Sequence, residues 1–199
     1  MKIFAFSDLH ASPSAAAALV EASAGADLAI GAGDFCNMRQ GLPEAMALLS
    51  GLAAPLIAVP GNAESAEELG AAAGDTTTVL HGTETRAAGL TIFGLGYGIP
   101  PTPFGDWSCD LTEAQAEAAL AKCQAADILV LHSPPKGIAD VTSNGLSVGS
   151  TAIRDAVARI QPRLAVCGHI HDSWGIRGTI GATEIVNLGP KGHVFDLTP

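Results

Sequence analysis

Five short runs rich in Ile, Val and Leu are each followed at once by polar residues of metal-binding type, and this recurrence constrains the chain more than any other feature. Ile3–Phe6 leads into Ser7-Asp8-Leu9-His10, Leu28–Ile30 into Gly31-Ala32-Gly33-Asp34, and Leu56–Val59 into Pro60-Gly61-Asn62-Ala63-Glu64. Ile128–Leu131 leads into His132-Ser133-Pro134, and Leu164–Val166 into Cys167-Gly168-His169-Ile170-His171. Continuous apolar runs of this length read as strands buried on both faces. A sixth run lies at Leu90–Phe93. Helical stretches fall between them. One follows Ser12-Pro13, one follows Pro43 and one begins near Ser65; the capping box Thr112-x-x-Gln115 opens a fourth to Lys122, and a fifth spans about Thr151 to Ile160. This βα alternation predicts a largely parallel sheet with its ligand-binding loops at the carboxyl ends of the strands. All five polar motifs then share one edge.

The C-terminal stretch changes character. Trp174–Ile180, Glu184–Asn187 and His193–Leu197 are separated by Gly and Pro and read as short antiparallel strands. An α/β sandwich of two sheets accommodates them better than one open sheet. With 199 residues and 48% hydrophobic character, the chain is expected to form one domain over residues 1–199. The irregular stretches Gly94–Asp110 and Pro134–Gly149 are long for a compact domain, which makes them candidate substrate walls.

A net charge of −10 without any Lys/Arg cluster argues against tight nucleic-acid binding, while a bound cation would still allow a small anionic ligand. No apolar run approaches the ~20 residues of a membrane span, and the N-terminus lacks the apolar core of an export signal. A soluble, cytoplasmic protein is expected. The four cysteines form no C-x-x-C pair and fit a reduced state, with Cys36 and Cys167 read as small buried apolar residues. Oligomeric state has no signature in the sequence.

Singly, each polar motif has an ordinary reading: Asp-x-His as a loop turn, Gly-Asp as a turn or helix cap, Gly-Asn as a tight turn. Their joint occurrence is what carries weight, because four of the six histidines and two acids follow predicted strands in a chain only 15% charged. Mixed imidazole and carboxylate donors suit Zn, Mn, Fe or Ni rather than Mg or Ca.

Taken in order, Asp8-x-His10, Gly33-Asp34, Gly61-Asn62-x-Glu64, His132 and Gly168-His169-x-His171 resemble the motifs of the calcineurin-like metallophosphoesterase superfamily, over nearly the whole chain. The part from His132-Ser133-Pro134-Pro135 to Val194-Phe195-Asp196-Leu197 is further similar to the brain-protein-239 branch of that superfamily. The resemblance implies a four-layer α/β/β/α sandwich of two mixed sheets flanked by helices. It also implies a two-metal site, with one ion held by Asp8, His10, Asp34 and His171 and the other by Asp34, Asn62, His132 and His169. Asp34 would bridge, and a water between the ions would become the attacking hydroxide. Asn62 and His132 would also position the phosphate. The substrate class implied is a small phosphate ester.

One position departs from the family pattern. Where a His usually follows Gly-Asn and serves the attacked phosphoryl group or the leaving oxygen, this chain has Ala63. A phosphodiesterase acting on good leaving groups or strained cyclic diesters is therefore expected, since general-acid help is worth ~10²–10⁴-fold. An acid from another loop is the alternative, with His193 and His81 the first to consider.

Other residues carry bland readings beside functional ones. Gly94-Leu95-Gly96-Tyr97-Gly98 precedes Ile99-Pro100-Pro101, which cannot open a phosphate-binding helix, so it reads as a strand exit rather than a dinucleotide loop. Glu64 is expected to support the third helix's N-terminus rather than to bind metal. Asp172, Trp174 and Tyr97 read as loop packing or pocket lining. Arg39, and less so Lys136 and Lys191, are candidates to grip a phosphate oxygen. Against the phosphoesterase stand a non-catalytic scaffold that keeps the fold and a single-metal hydrolase of another ester or amide.

Overall fold

The apolar runs do become strands, and their pairing explains their composition. In the computed structural model of the protein, which describes residues 1–198, β1 (Lys2–Phe6), β2 (Leu28–Gly31), β3 (Leu56–Ala58) and β4 (Thr77–Val79) pair in parallel. The last strand of the chain, β11 (His193–Asp196), joins β1 antiparallel and completes a five-stranded sheet, β11-β1-β2-β3-β4. The second sheet has six strands in the order β5-β6-β7-β8-β10-β9. They are β5 (Thr83–Ala87), β6 (Leu90–Leu95), β7 (Ile128–Leu131), β8 (Leu164–Cys167), β9 (Arg177–Ile180) and β10 (Thr183–Asn187). β6, β7, β8 and β10 run parallel, with β5 and β9 antiparallel at the edges.

Three apolar layers hold the sandwich. Ile3, Ile30, Ile57, Ile92, Val130 and Val166 meet between the sheets. The alternate residues of the same strands face outward and are covered, which is why the runs are apolar throughout. On the first sheet α1 (Pro13–Ala22), α2 (Leu42–Leu48) and α3 (Ala66–Ala72) seat Leu19, Met46 and Leu69 against Phe4, Phe6 and Ala58. On the second, α4 (Glu113–Leu120) and α5 (Thr151–Ile160) seat Leu120, Ile153 and Val157 against Phe93 and Leu129. The result is an α/β/β/α sandwich of two mixed sheets.

Local chemistry starts the helices where the sequence places them. Ser12 caps α1 through the Ala15 N–H with Pro13 in the first turn, and both Ser65 and Thr112 form full capping boxes, with Glu68 and Gln115. α4 ends at Leu120, short of Lys122. The expectation of antiparallel C-terminal strands holds for β9 and β11, but β10 pairs parallel with β8. His171–Ser173 forms a 3₁₀ turn, so β9 starts only at Arg177. β4 and β5 were not expected; each is a polar edge strand, and His81 lies on the crossover between the two sheets rather than in a hairpin. Among the described residues no helix is long and apolar enough to cross a membrane.

Candidate metal centre

The turns that leave β1, β2, β3, β7 and β8 converge on one edge of the sandwich, where the seven residues singled out from the sequence meet. These turns are tight. Asp8, His10, Asp34 and His169 all have left-handed backbones, with φ of 55°, 48°, 56° and 67°. Such a conformation costs a non-glycine residue about 1–3 kcal/mol and persists only where its surroundings enforce it. The neighbouring glycines are there for close approach. A Cβ on Gly61 would sit 2.0 Å from Asp34 Oδ1, and one on Gly168 would sit 2.6 Å from Asp8 Oδ2.

Two donor sets result, and they share one carboxylate. Asp8, His10, Asp34 and His171 offer atoms that all lie within 4.8 Å of one another, as do Asp34, His132 and His169. Asp34 Oδ2 faces His10 Nε2 at 3.7 Å, while Asp34 Oδ1 faces His132 Nε2 at 3.5 Å. His10 Nε2 and His171 Nε2 are 3.1 Å apart, and Asn62 Oδ1 stands 3.2 Å from His132 Nε2.

Hydrogen bonds aim these donors. The Nδ1 atoms of His132 and His10 lie 2.8 Å and 3.3 Å from the carbonyls of Ala32 and Cys36, which as acceptors call for N–H at Nδ1 and leave Nε2 as the atom that faces the centre and would ligate a cation once unprotonated. Asp8 Oδ2 accepts from Ser7 Oγ at 2.5 Å and from the Trp174 indole at 2.9 Å, and Oδ1 accepts from the His169 N–H at 3.0 Å. The Trp174 ring also packs on His171 at 4.4 Å.

The electrostatics suit cations. Burial opposes the Asp34 charge, but His132, His10 and His169 together hold the carboxyl below its usual range. Burial, reinforced by His132, pushes His169 down to about 3, leaving it the neutral imidazole that ligation requires. Four imidazoles around two buried carboxylates, with Nε2 of His10, His132 and His171 turned to the centre, are a donor set that fits a pair of transition-metal ions.

Glu64 corrects an expectation. It does not serve α3, which Ser65 and Glu68 cap. Fully buried, it accepts backbone N–H bonds from Asp34, Phe35, Cys36 and Gly61 at 2.7–3.3 Å, tying the Asp34 turn to the Asn62 turn. Burial and the Asp34 charge push its carboxyl up to about 7.

An open cleft of about 350 Å³ lies over the centre, lined by His10, Asp34, Asn62, His169 and His171. Its apolar wall includes Met38, Ala63 and the stacked rings of Phe104 and Trp107, 5.7 Å apart and within 6° of parallel. Thr142 and Asp172 line it too, so both long loops contribute to the walls. No Lys or Arg is among the described residues that line it. Arg39 instead pairs with Glu68, at 3.1 and 2.8 Å, and Lys136 donates to the Ser147 carbonyl at 2.5 Å. His193 bonds the Leu188 carbonyl and His81 packs on Tyr97, so neither reaches the cleft. Tyr97 instead accepts from the Ala66 N–H, and a Cβ on Gly96 would meet the Pro60 carbonyl at 2.2 Å, so that loop is a strand exit. Cys36 and Cys167 are buried. Sequence reasoning did not foresee the bond from Trp174 to Asp8 or the clamp by Glu64. The one available signal was that Trp174 lies three residues past His171.

Comparison with known proteins bears on the family and the fold. Residues 1–197 match the model of the calcineurin-like phosphoesterase superfamily domain. Human metallophosphoesterase domain-containing protein 1 is 36% identical over 113 residues, which covers 54% of this chain and 33% of that protein. The chain spans about a third of the length of the curated relatives it matches. Among solved structures, TT1561 of Thermus thermophilus superposes with a TM-score of 0.75 at 18% identity, covering 96% of this chain and 90% of that one. A dimetal phosphatase from Danio rerio superposes with a TM-score of 0.63 at 13% identity, covering 96% and 88%. At these identities the structural likeness is one of fold.

Proposed function

The chain belongs to the calcineurin-like phosphoesterase superfamily, and from that premise we propose that it is a two-metal phosphodiesterase acting on a small, singly charged phosphate ester. Asp8, His10, Asp34 and His171 would hold one cation, and Asp34, Asn62, His132 and His169 the other, with Mn, Fe, Zn or Ni suited to these donors. When bound, such a pair supplies Lewis acidity and makes a water nucleophilic near neutral pH. The two oxygens of Asp34 point to different donor sets, which supports a bridging role.

Ala63 is the observation that carries the diester reading. It lines the cleft beside Asn62, and its N–H donates to Asp34 Oδ1 at 2.8 Å, which fixes the backbone there. The imidazoles lining the cleft are all assigned to the donor sets, so none is free to protonate a departing alkoxide. The lack of a Lys or Arg among the described lining residues also disfavours dianionic monoesters. Hydrolysis of methyl p-nitrophenyl phosphate by Mn-loaded protein should therefore outpace that of an alkyl phosphomonoester. Ala63→His should narrow that gap, with gains of about 10²-fold for poor leaving groups and much less for nitrophenyl esters. Equal rates on the two substrate types in wild type would defeat the diester reading. Failure to bind metal and to turn over would favour the scaffold.

A further inference from the structure

The Asn62 side chain ends a chain of hydrogen bonds that runs from the candidate centre into the Gly94–Asp110 loop. Asn62 Nδ2 donates to Ser108 Oγ at 3.0 Å. Ser108 Oγ donates to Asp110 Oδ1 at 2.9 Å and lies 2.8 Å from Thr102 Oγ1. Asp110 Oδ2 accepts from both the hydroxyl and the N–H of Thr102, at 3.0 and 2.9 Å. The loop is tied to the centre by its backbone as well, through the Cys109 N–H on the Asn62 carbonyl at 2.9 Å. Gly98 makes room for the carboxylate, since a Cβ there would sit 2.3 Å from Asp110 Oδ1.

Proton accounting gives this chain a direction. A carboxylate only accepts, whereas a serine hydroxyl has one proton to give. With the Ser108 and Thr102 protons drawn toward Asp110, the Ser108 oxygen is left to accept, so it selects the NH₂ end of Asn62. The amide oxygen is thereby turned toward His132 Nε2 and the second donor set, where a cation needs an oxygen. The opposite amide orientation would take the Ser108 proton for Asn62, strip Asp110 Oδ1 of its hydroxyl donor, and aim an NH₂ group at the cation. That orientation is disfavoured, because it leaves a half-buried carboxylate oxygen without its hydroxyl donor. We infer that Ser108 and Asp110 are positioning residues that fix the amide orientation of Asn62 and so set the affinity of the second metal site. This rests on the two-metal reading above.

A double-mutant cycle on the full chain, titrated with Mn²⁺ after chelator dialysis and followed by calorimetry, tests it. Ser108→Ala should weaken one of the two binding events about 10-fold or more, the usual effect of an outer-sphere partner, and leave the other within about twofold. Asp110→Asn should weaken the same event. Because Ser108 acts through Asn62, the Asn62→Ala/Ser108→Ala double variant should bind no more weakly than Asn62→Ala alone. Unchanged affinities in both Ser108→Ala and Asp110→Asn, equal weakening of both events, or additive losses in the double variant would each overturn the inference. So would a wild type that binds a single ion. If wild type binds two ions but hydrolyses no diester, the proposed activity fails while the positioning role stands.

Discussion

The two donor sets share Asp34 and differ in nearly everything else. In the first, the His171 and His10 side chains are 48% and 28% exposed; in the second, the His132 side chain is wholly buried. The first set is supported by the Trp174 indole and the short turn after β8, on the solvent side of the cleft. The second is enclosed by the Glu64 clamp, the Ala32 carbonyl and the Ser108–Asp110 chain. The contrast teaches that His132, like Asp8 and Asp34, is part of the protein's core, while His10 and His171 are attached to it. Disturbing the buried histidine should therefore cost folding and binding together, and disturbing an exposed one should cost binding alone.

The largest expected effect erases the contrast. Asp34→Asn should release both ions and drop turnover to background, measured by metal analysis and diester hydrolysis. Retention of one ion at full affinity would show that Asp34 does not serve both sets. Next in size is a paired comparison. His132→Ala leaves a cavity and removes the largest of the favourable charges beside buried Asp34, so it should lower the unfolding free energy of the metal-free protein by about 2–3 kcal/mol. His171→Ala should change it by about 0.5 kcal/mol or less, as surface substitutions do. Denaturant melts of both variants check this, and equal losses would break the comparison. The smallest effect concerns Trp174→Phe, which keeps the ring on His171 but removes the N–H on Asp8. It should weaken one Mn²⁺ event about 10-fold and leave the other unchanged. A loss at both events would mean that Asp8 couples the two sets.

Much of this was legible in the sequence, for a local reason. A parallel strand buried on both faces must be apolar from end to end, so Ile128–Leu131 and Leu164–Val166 announce themselves, and whatever polar residue follows stands at the sheet edge. The polar motifs that follow the strands could be read in the same way, and the resemblance to the family named seven of their residues as candidate ligands. Edge strands have no such signature: Thr77–Val79 and Thr83–Ala87 are half solvated and polar. The rest depends on partners distant in the chain. Glu64 meets backbone N–H groups about 30 residues away, and Trp174 meets Asp8 from the far end of the chain. Arg39 was eligible for a phosphate until the fold placed Glu68 beside it. No periodicity in a single sequence encodes such pairings.

The left-handed backbones at Asp8, His10, Asp34 and His169 also bear on how this protein can change over time. Glycine occupies that conformation without penalty, so at the half-buried His10 and His169 the residue best for folding differs from the one the chemistry calls for, whereas the buried carboxylates of Asp8 and Asp34 also satisfy N–H donors. A lineage released from the chemistry would gain stability by admitting glycine at those two histidines, while His132, buried in the core, would be retained for packing. Loss of activity in descendants of this chain should thus be written first at His10 and His169, strained and half-buried, and last at the buried ligands.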